Sequence, residues 1–283
     1  MKERITITLD SELIRQIDRR IDGNIIKNRS QQIELLLTKA LGTYRPEKVV
    51  ILMGGKGAKK PIVPKLPNCM LELQGRTILE HIFDLLKKYG IRDIILILGY
   101  LKEKVEDYYG DGTKFGVKIT YIEEEAPLGT AGSLKLAKEF LKDSFIVTNG
   151  DDLKNINIPR MFRLHKRKDA VATIALTTAS DPSRYGVARL SGSRILEFVE
   201  KPKIEEASSN LINAGFCILE PEVVDMIPSG YSMLEKDVFP KLAKQGRLRG
   251  FPFAGQWFDI RNSEMYEVAK TKWRGVSPYG EDE

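Results

Sequence analysis

The hydrophobic pattern changes period early in the chain. In Arg4-Ile5-Thr6-Ile7-Thr8-Leu9 polar and apolar residues alternate, which is the period of a half-buried strand. Leu13, Ile14, Ile17 and Ile21 then recur at helical spacing behind Asp10 or Ser11 as a cap, predicting a helix from Glu12 that Asp22-Gly23-Asn24 ends. A second helix is predicted from Asn28-Arg29-Ser30, carrying Ile33, Leu35, Leu36, Leu37 and Leu41 before Gly42. Strand, helix, helix is too little chain to bury its own apolar faces, and a lone strand leaves its backbone groups unpaired. The pattern calls for a second copy, with residues 43–47 as the linker to the remainder of the chain.

From Lys48 onward the pattern becomes βα alternation. Strands are expected at Val49–Met53, Asp93–Leu98, Lys118–Tyr121 and Ser144–Thr148, with helices from about Thr77 to Tyr89, around Lys102–Tyr108 and over Leu134–Phe140. Such an order predicts a parallel sheet with helices on both faces, which binds ligands at the carboxyl ends of its strands. Glycine or charge recurs at those ends: Gly54-Gly55, Gly99 and Asn149-Gly150-Asp151-Asp152. Glycines directly after a strand let backbone N–H groups approach phosphate oxygens.

Composition narrows the chemistry only a little. The 283 residues are 42% hydrophobic and 30% charged, ordinary for a folded globular protein. A net charge of +6 suits a phosphate-bearing partner without choosing between nucleic acid and small molecules. Cys69 and Cys217 are the only cysteines and there are two histidines, which leaves no material for a disulfide framework or a zinc cluster. The charged N-terminus and the short apolar runs predict no membrane span and a cytoplasmic setting.

The segment "RITITLDSELIRQIDRRI" with "NRSQQIELLLTKAL" resembles the ribbon-helix-helix DNA-binding regulators. That resemblance implies a domain over residues 1–43 that forms a homodimer through Ile5, Ile7 and Leu9. Arg4, Thr6 and Thr8 would face base edges in double-stranded DNA, and the backbone near Arg29 and Ser30 would hold a DNA phosphate. Dimerisation without DNA binding is the alternative, with Thr6 and Thr8 chosen for strand propensity.

"GGKGAKK", "EEEAPLGTAGSL", "IVTNGDDL", "YGVARLSGSRILEFVEKP", "INAGFCIL" and "WFDIRNSEMY" occur in the order of the motifs of the sugar-1-phosphate nucleotidyltransferases, and the chain resembles that family over most of its length. The implied fold class is α/β: a Rossmann-like nucleotidyltransferase domain over 48–275 with a mixed, mostly parallel sheet, preceded by the small ribbon-helix-helix domain. The implied substrates are a nucleoside triphosphate and a sugar 1-phosphate, with Mg2+ as cofactor held by Asp151 and Asp259. Lys201 would bind the sugar phosphate and Glu200 a sugar hydroxyl, with Gly186, Asn213 and Gly215 as further sugar contacts. Gly54, Gly55, Gly57, Gly129 and Thr130 would line the nucleotide. Glu124, in the acidic run Glu123–Glu125, resembles the base-reading position of mannose-1-phosphate guanylyltransferases, although a solvated strand end explains the same run.

The opening loop departs from the family pattern Gly-Gly-x-Gly-Thr-Arg and Pro-Lys-Pro. Lys59 stands where the arginine belongs and Asn68 where the catalytic lysine belongs, which leaves Lys59 and Lys65 as candidate replacements. After the second carboxylate, Arg261 is a candidate phosphate-binding cation. Two functions therefore stay open: an active transferase, or a regulator whose altered transferase domain senses a nucleotide or nucleotide-sugar.

Overall fold

The computed structural model describes residues 5–21, 28–40, 45–54, 62–167 and 170–276, and the chain divides into two compact units, Met1–Tyr44 and Arg45–Glu283. Arg4, Gly55, Gly57 and Lys59, four of the expected site residues, lie outside the described residues. So do the expected turn at Asp22-Gly23-Asn24 and the end of the second expected helix at Leu41.

In the first unit, α1 (Ser11–Asp18) opens on Asp10, whose carboxylate accepts the Glu12 N–H at 2.8 Å. It closes sooner than the apolar spacing suggests, at Arg19. The second helix, α2 (Arg29–Ala40), packs against α1. Residues 5–9, the described part of the expected strand, carry no ladder in the single chain, since a strand needs a partner to form one. Ile5 is 71% exposed, and Ile7, Leu13 and Leu37 are exposed as well. Thr6, Thr8 and Ser30 are exposed. The Arg29 guanidinium forks onto Asp18 at 2.9 and 2.7 Å, so its side chain is engaged within the unit.

The second unit is built on strands β1 (Lys48–Met53), a small β2–β3 hairpin (Glu72–Leu73, Arg76–Thr77), β4 (Asp93–Leu98), β5 (Lys118–Glu123), β6 (Phe145–Asn149), β7 (Asp152–Lys154), β8 (Ala172–Thr178), β9 (Gly186–Ser191), β10 (Arg194–Glu200), β11 (Leu211–Leu219), β12 (Leu248–Pro252) and β13 (Trp257–Asp259). Its helices are α3 (Ile78–Lys88), α4 (Lys102–Tyr109), α5 (Gly129–Lys135), α6 (Ile158–Arg167), α7 (Glu222–Asp225), α8 (Phe239–Lys244) and α9 (Ser263–Lys272).

Nine of these strands form one sheet in the order β5-β4-β1-β6-β11-β8-β12-β10-β9. The first four run parallel, as the βα alternation predicts. Beyond them the expectation of a mostly parallel sheet needs correcting. β11 is antiparallel to both β6 and β8, β12 is parallel to β8, and β10 is antiparallel to β12 and β9. Short hairpin connections such as that between β9 and β10 permit only antiparallel pairing.

Both faces of the sheet are covered, which is why β1 and β4 read as continuous apolar runs rather than alternating ones. Successive residues point to opposite sides: Val49 and Ile51 join a core with α3 and α4, while Val50 joins another with α5 and α8. Thr77 caps α3 through a reciprocal box with Glu80. The helix expected over Leu134–Phe140 instead begins at Gly129, inside the "PLGTAG" stretch that reads as loop. Trp273, at the end of α9, is buried, with its indole N–H donating to His81 Nδ1 at 3.3 Å.

Candidate active site

The geometry of the site follows from one short antiparallel pair. β7 and β13 pair with Asp259 opposite Asp152 and Trp257 opposite Lys154, and the Ile260 N–H donates to the Asp151 carbonyl at 3.0 Å. Asp151 and Asp259, more than one hundred positions apart in the sequence, therefore meet at adjoining strand ends. Burial holds the Asp151 carboxyl above the usual carboxylate range; the Asp259 charge raises it further, while Arg261 and Lys154 pull it down. Two hard oxygen donors that feel each other's charge fit a divalent cation such as Mg2+. Among the described residues no group of three or more such donors occurs, so water and substrate oxygens would complete the shell.

Arg261 lies on this pair. Its Nε and Nη2 donate to Asp259 Oδ1 and Oδ2 at 2.8 and 3.0 Å, and its backbone N–H adds a third bond to Oδ1 at 3.1 Å. Asp259 is buried, whereas the Arg261 side chain is 45% exposed. The guanidinium is held more firmly protonated than usual: burial opposes its charge, but Asp151 and the bonds to Asp259 outweigh that. Tyr185 faces the same carboxylate and packs edge-on against Trp257 with ring centroids 5.4 Å apart.

Behind the strand ends is a buried ion pair. Lys154 Nζ donates to Asp152 and, at 2.9 Å, to Thr148 Oγ1, with both charged side chains 2% exposed. Burial pushes the Asp152 carboxyl up to about 7, against the pull of Lys154. Gly215 lies directly against this pair at a bulge in β11, with φ +67°, and a Cβ there would strike Asp152 and Asn149. Only glycine fits that position on both counts. Asn213 braces the bulge by accepting the Gly215 N–H at 3.0 Å.

Gly186 and Glu200 face each other across the β9–β10 pair, so Gly186, Glu200, Lys201, Asn213 and Gly215 gather on three neighbouring strands. The Glu200 side chain is 8% exposed and its neighbour Lys201 is 59% exposed with Nζ 3.8 Å from Glu200 Oε1. Lys201 has φ +49°, a strained backbone for a residue with a side chain, and its N–H donates to the Tyr185 carbonyl at 2.9 Å. Burial, then the charge of Glu235, raises the Glu200 carboxyl to about 7.

The start of α5 is held from two sides. Glu124 Oε1 accepts the Leu128 N–H at 2.5 Å and the Ser133 hydroxyl at 2.6 Å, which assigns this carboxylate oxygen to shaping the loop. Gly129, at φ +77°, leaves room for the Ser232 carbonyl, which accepts the Ala131 and Gly132 N–H groups. The Thr130 hydroxyl donates to Glu235 Oε2 at 2.6 Å and accepts the Leu234 N–H at 2.9 Å.

The altered loop is described only in part. Gly54 closes β1. Asn68 is buried, its Oδ1 accepting the Ile62 N–H at 3.1 Å, so its side chain turns back into the loop. Lys65 is exposed with φ +62°, and its carbonyl accepts a bond from Lys104 Nζ at 2.7 Å; no described contact joins it to the carboxylate pair. Cys69, next to Asn68, feels the Asp151 charge, and burial pushes its thiol up to about 12.

Sequence reasoning missed Lys154, Tyr185 and Glu235. Lys154 carried a signal, a lysine inside an otherwise apolar two-residue alternation after Asp152. Tyr185 and Glu235 carried none, since their roles depend on which loops the sheet brings together. A groove of about 1520 Å3 shares Tyr185 and Trp257 with the site but none of its carboxylates.

The family model described as nucleotidyl transferase matches residues 48–274. Among curated proteins, a UTP–glucose-1-phosphate uridylyltransferase of Synechocystis is 37% identical over 235 residues, covering 75% of this chain and 60% of that protein. A mannose-1-phosphate guanyltransferase of Yarrowia lipolytica is 39% identical over 220 residues, again 75% and 60%. The chain thus spans about 60% of the length of these relatives. Among solved structures, a Bacillus anthracis protein provisionally assigned as a glucose-1-phosphate thymidylyltransferase and crystallised with sucrose superposes with a TM-score of 0.74 at 27% identity, covering 81% of this chain and 96% of that one.

The raised Glu200 carboxyl gives a pH signature. The folded group titrates at about 7 and the unfolded one at about 4.5. Between those values the native state holds the extra proton, so stability falls as pH rises through the window and is flat above it. Glu200→Gln removes this penalty. Urea unfolding should show the variant gaining up to about 3 kcal/mol over wild type between about pH 4 and about pH 8. A difference that stays the same at both ends would contradict the assignment.

Proposed function

The chain belongs to the nucleotidyl transferase family, and from that premise we propose that it joins a nucleoside triphosphate to a sugar 1-phosphate, forming a nucleoside diphosphate sugar and releasing pyrophosphate. The observation that carries this reading is the meeting of Asp151 and Asp259 beside a strand cluster suited to a sugar phosphate. The uridylyltransferase and guanyltransferase relatives act, by name, on glucose 1-phosphate with UTP and on mannose 1-phosphate, which supports the substrate class and leaves the base and sugar to experiment.

Both reactants are anions, so catalysis is a matter of cations and alignment, with no covalent nucleophile required. Asp151 and Asp259 would hold a Mg2+ ion, which when bound would supply the charge that lets phosphate meet phosphate. Lys201, exposed and held at an unusual backbone angle by Tyr185, binds the sugar phosphate. Glu200, kept from ready ionisation, positions a sugar hydroxyl, with the Gly186 and Gly215 backbone leaving space for the ring. Gly54, Gly129 and Thr130 line the nucleotide, and Glu124 fixes the loop that passes the base. The sensor reading is favoured by one observation, the engagement of the Asn68 amide by the Ile62 N–H where the family pattern has a lysine.

For the N-terminal unit the reading is a ribbon-helix-helix homodimer that binds double-stranded DNA. Its support is a short unit with Ile5 and Ile7 exposed beside Thr6 and Thr8, and a sequence that asks for a second strand. Light scattering on the full chain should give a dimer that Ile7→Asp reduces to a monomer, and gel shifts should show duplex binding that weakens with salt. A monomeric wild-type chain contradicts the dimer, and a dimer without duplex binding leaves dimerisation alone as its role.

The transferase is tested by pyrophosphate release with Mg2+ across nucleoside triphosphates and sugar 1-phosphates, using Asp151→Ala as control. Turnover with at least one pair, reduced about a thousandfold or more in the control, is the expected result. Ligand binding by calorimetry with no turnover above the control would replace the transferase with the sensor.

A further inference from the structure

Asp259 already serves one cation, and a second would compete with it for the same two oxygens. Its two oxygens already accept three hydrogen bonds from Arg261, two of them from the guanidinium fork. A divalent ion approaching Asp259 needs an oxygen that the fork now holds, and it repels the guanidinium at close range. The arginine is well placed to leave: its side chain is 45% exposed while the carboxylate beneath it is 6% exposed, so the anion is fixed and the cation has access to solvent. Arg261 is also within electrostatic reach of Asp151, Glu200 and Glu235, which puts it between the carboxylate pair and the strands that gather around Lys201. A guanidinium matches phosphate as well as carboxylate, because its parallel N–H bonds fit two oxygens of either group.

We propose that Arg261 is an exchange cation: it neutralises Asp259 while no divalent ion is bound, and on arrival of the ion its fork passes to an oxygen of a substrate or product phosphate. The inference rests on the transferase reading. It gives the site one cation that changes partner with the state of the reaction, holding the two carboxylates together in the empty chain and gripping phosphate in the loaded one. Lys65 and Asn68 show no such relation to the carboxylate pair.

The test uses the full chain and two calorimetric titrations. Mn2+ is titrated without any anion into wild type, Arg261→Gln and Arg261→Lys, and inorganic pyrophosphate is then titrated into each at saturating Mg2+. Near-UV circular dichroism establishes that the variants keep the native packing. Removing the competitor should tighten Mn2+ binding in Arg261→Gln about tenfold, and removing the fork should weaken pyrophosphate binding about tenfold. Arg261→Lys, which keeps the charge and loses the fork, should fall between the other two for both ligands. Unchanged or weaker Mn2+ binding in Arg261→Gln overturns the exchange. Tighter Mn2+ with unchanged pyrophosphate overturns it too, since the guanidinium then only blocks the ion. If neither wild type nor variants bind Mn2+, the carboxylate pair is not a cation site, and the reading beneath the proposal falls with it.

Discussion

Two carboxylates held side by side in a partly buried place repel each other, and the fold of the second unit is organised around making that arrangement tolerable. The β7–β13 pair fixes the backbone of Asp151 and Asp259, so neither can relax away from the other by moving its strand end. Relief comes from charge instead. Arg261 covers Asp259 from the solvent side, and Lys154 compensates Asp152 from within the core. A site that is electrostatically unsettled when empty is one that gains by binding a cation.

The same requirement explains features that look unrelated. Lys154 is buried beneath the sheet end, where an unpaired ammonium would be costly, because it answers the carboxylate next to Asp151. The β11 bulge brings a glycine against that pair, and the bulge in turn carries Asn213 and Gly215 toward the strands of Glu200 and Lys201. The carboxylate pair and the strands of Glu200 and Lys201 are therefore mechanically joined through Asp152, Gly215 and Asn213. A side chain at position 215 would disturb both at once. Around Thr130, the half-buried carboxylate of Glu235 ties the start of α5 to the segment after Gly230.

Much of the parallel half of the sheet was legible in the sequence, because strands buried on both faces are apolar throughout and alternate with segments of helical spacing such as the one from about Thr77. The antiparallel half was less so: β8, β11 and β12 differ little in composition from parallel strands, and their direction is set by connections. The start of α5 was misplaced because glycines there read as loop, whereas Gly129 is needed for close contact with the Ser232 carbonyl. Among the candidate site residues, those in dense motifs such as "NGDD", "EKP" and "NAG" are proposed from the sequence one by one, and the fold brings them to neighbouring strand ends. Tyr185, Glu235 and the depth of Lys154 could not be proposed in this way, since each acts through a partner far away in the chain.

Everything in this account depends on Asp151 and Asp259 forming a single cation site. An electron paramagnetic resonance titration of Mn2+ into the full chain and into Asp151→Asn and Asp259→Asn tests it directly. One site per chain in the wild type, weakened about a hundredfold by either substitution, is the predicted result. Mn2+ binding that survives both substitutions, or that depends on only one of the two carboxylates, would contradict it.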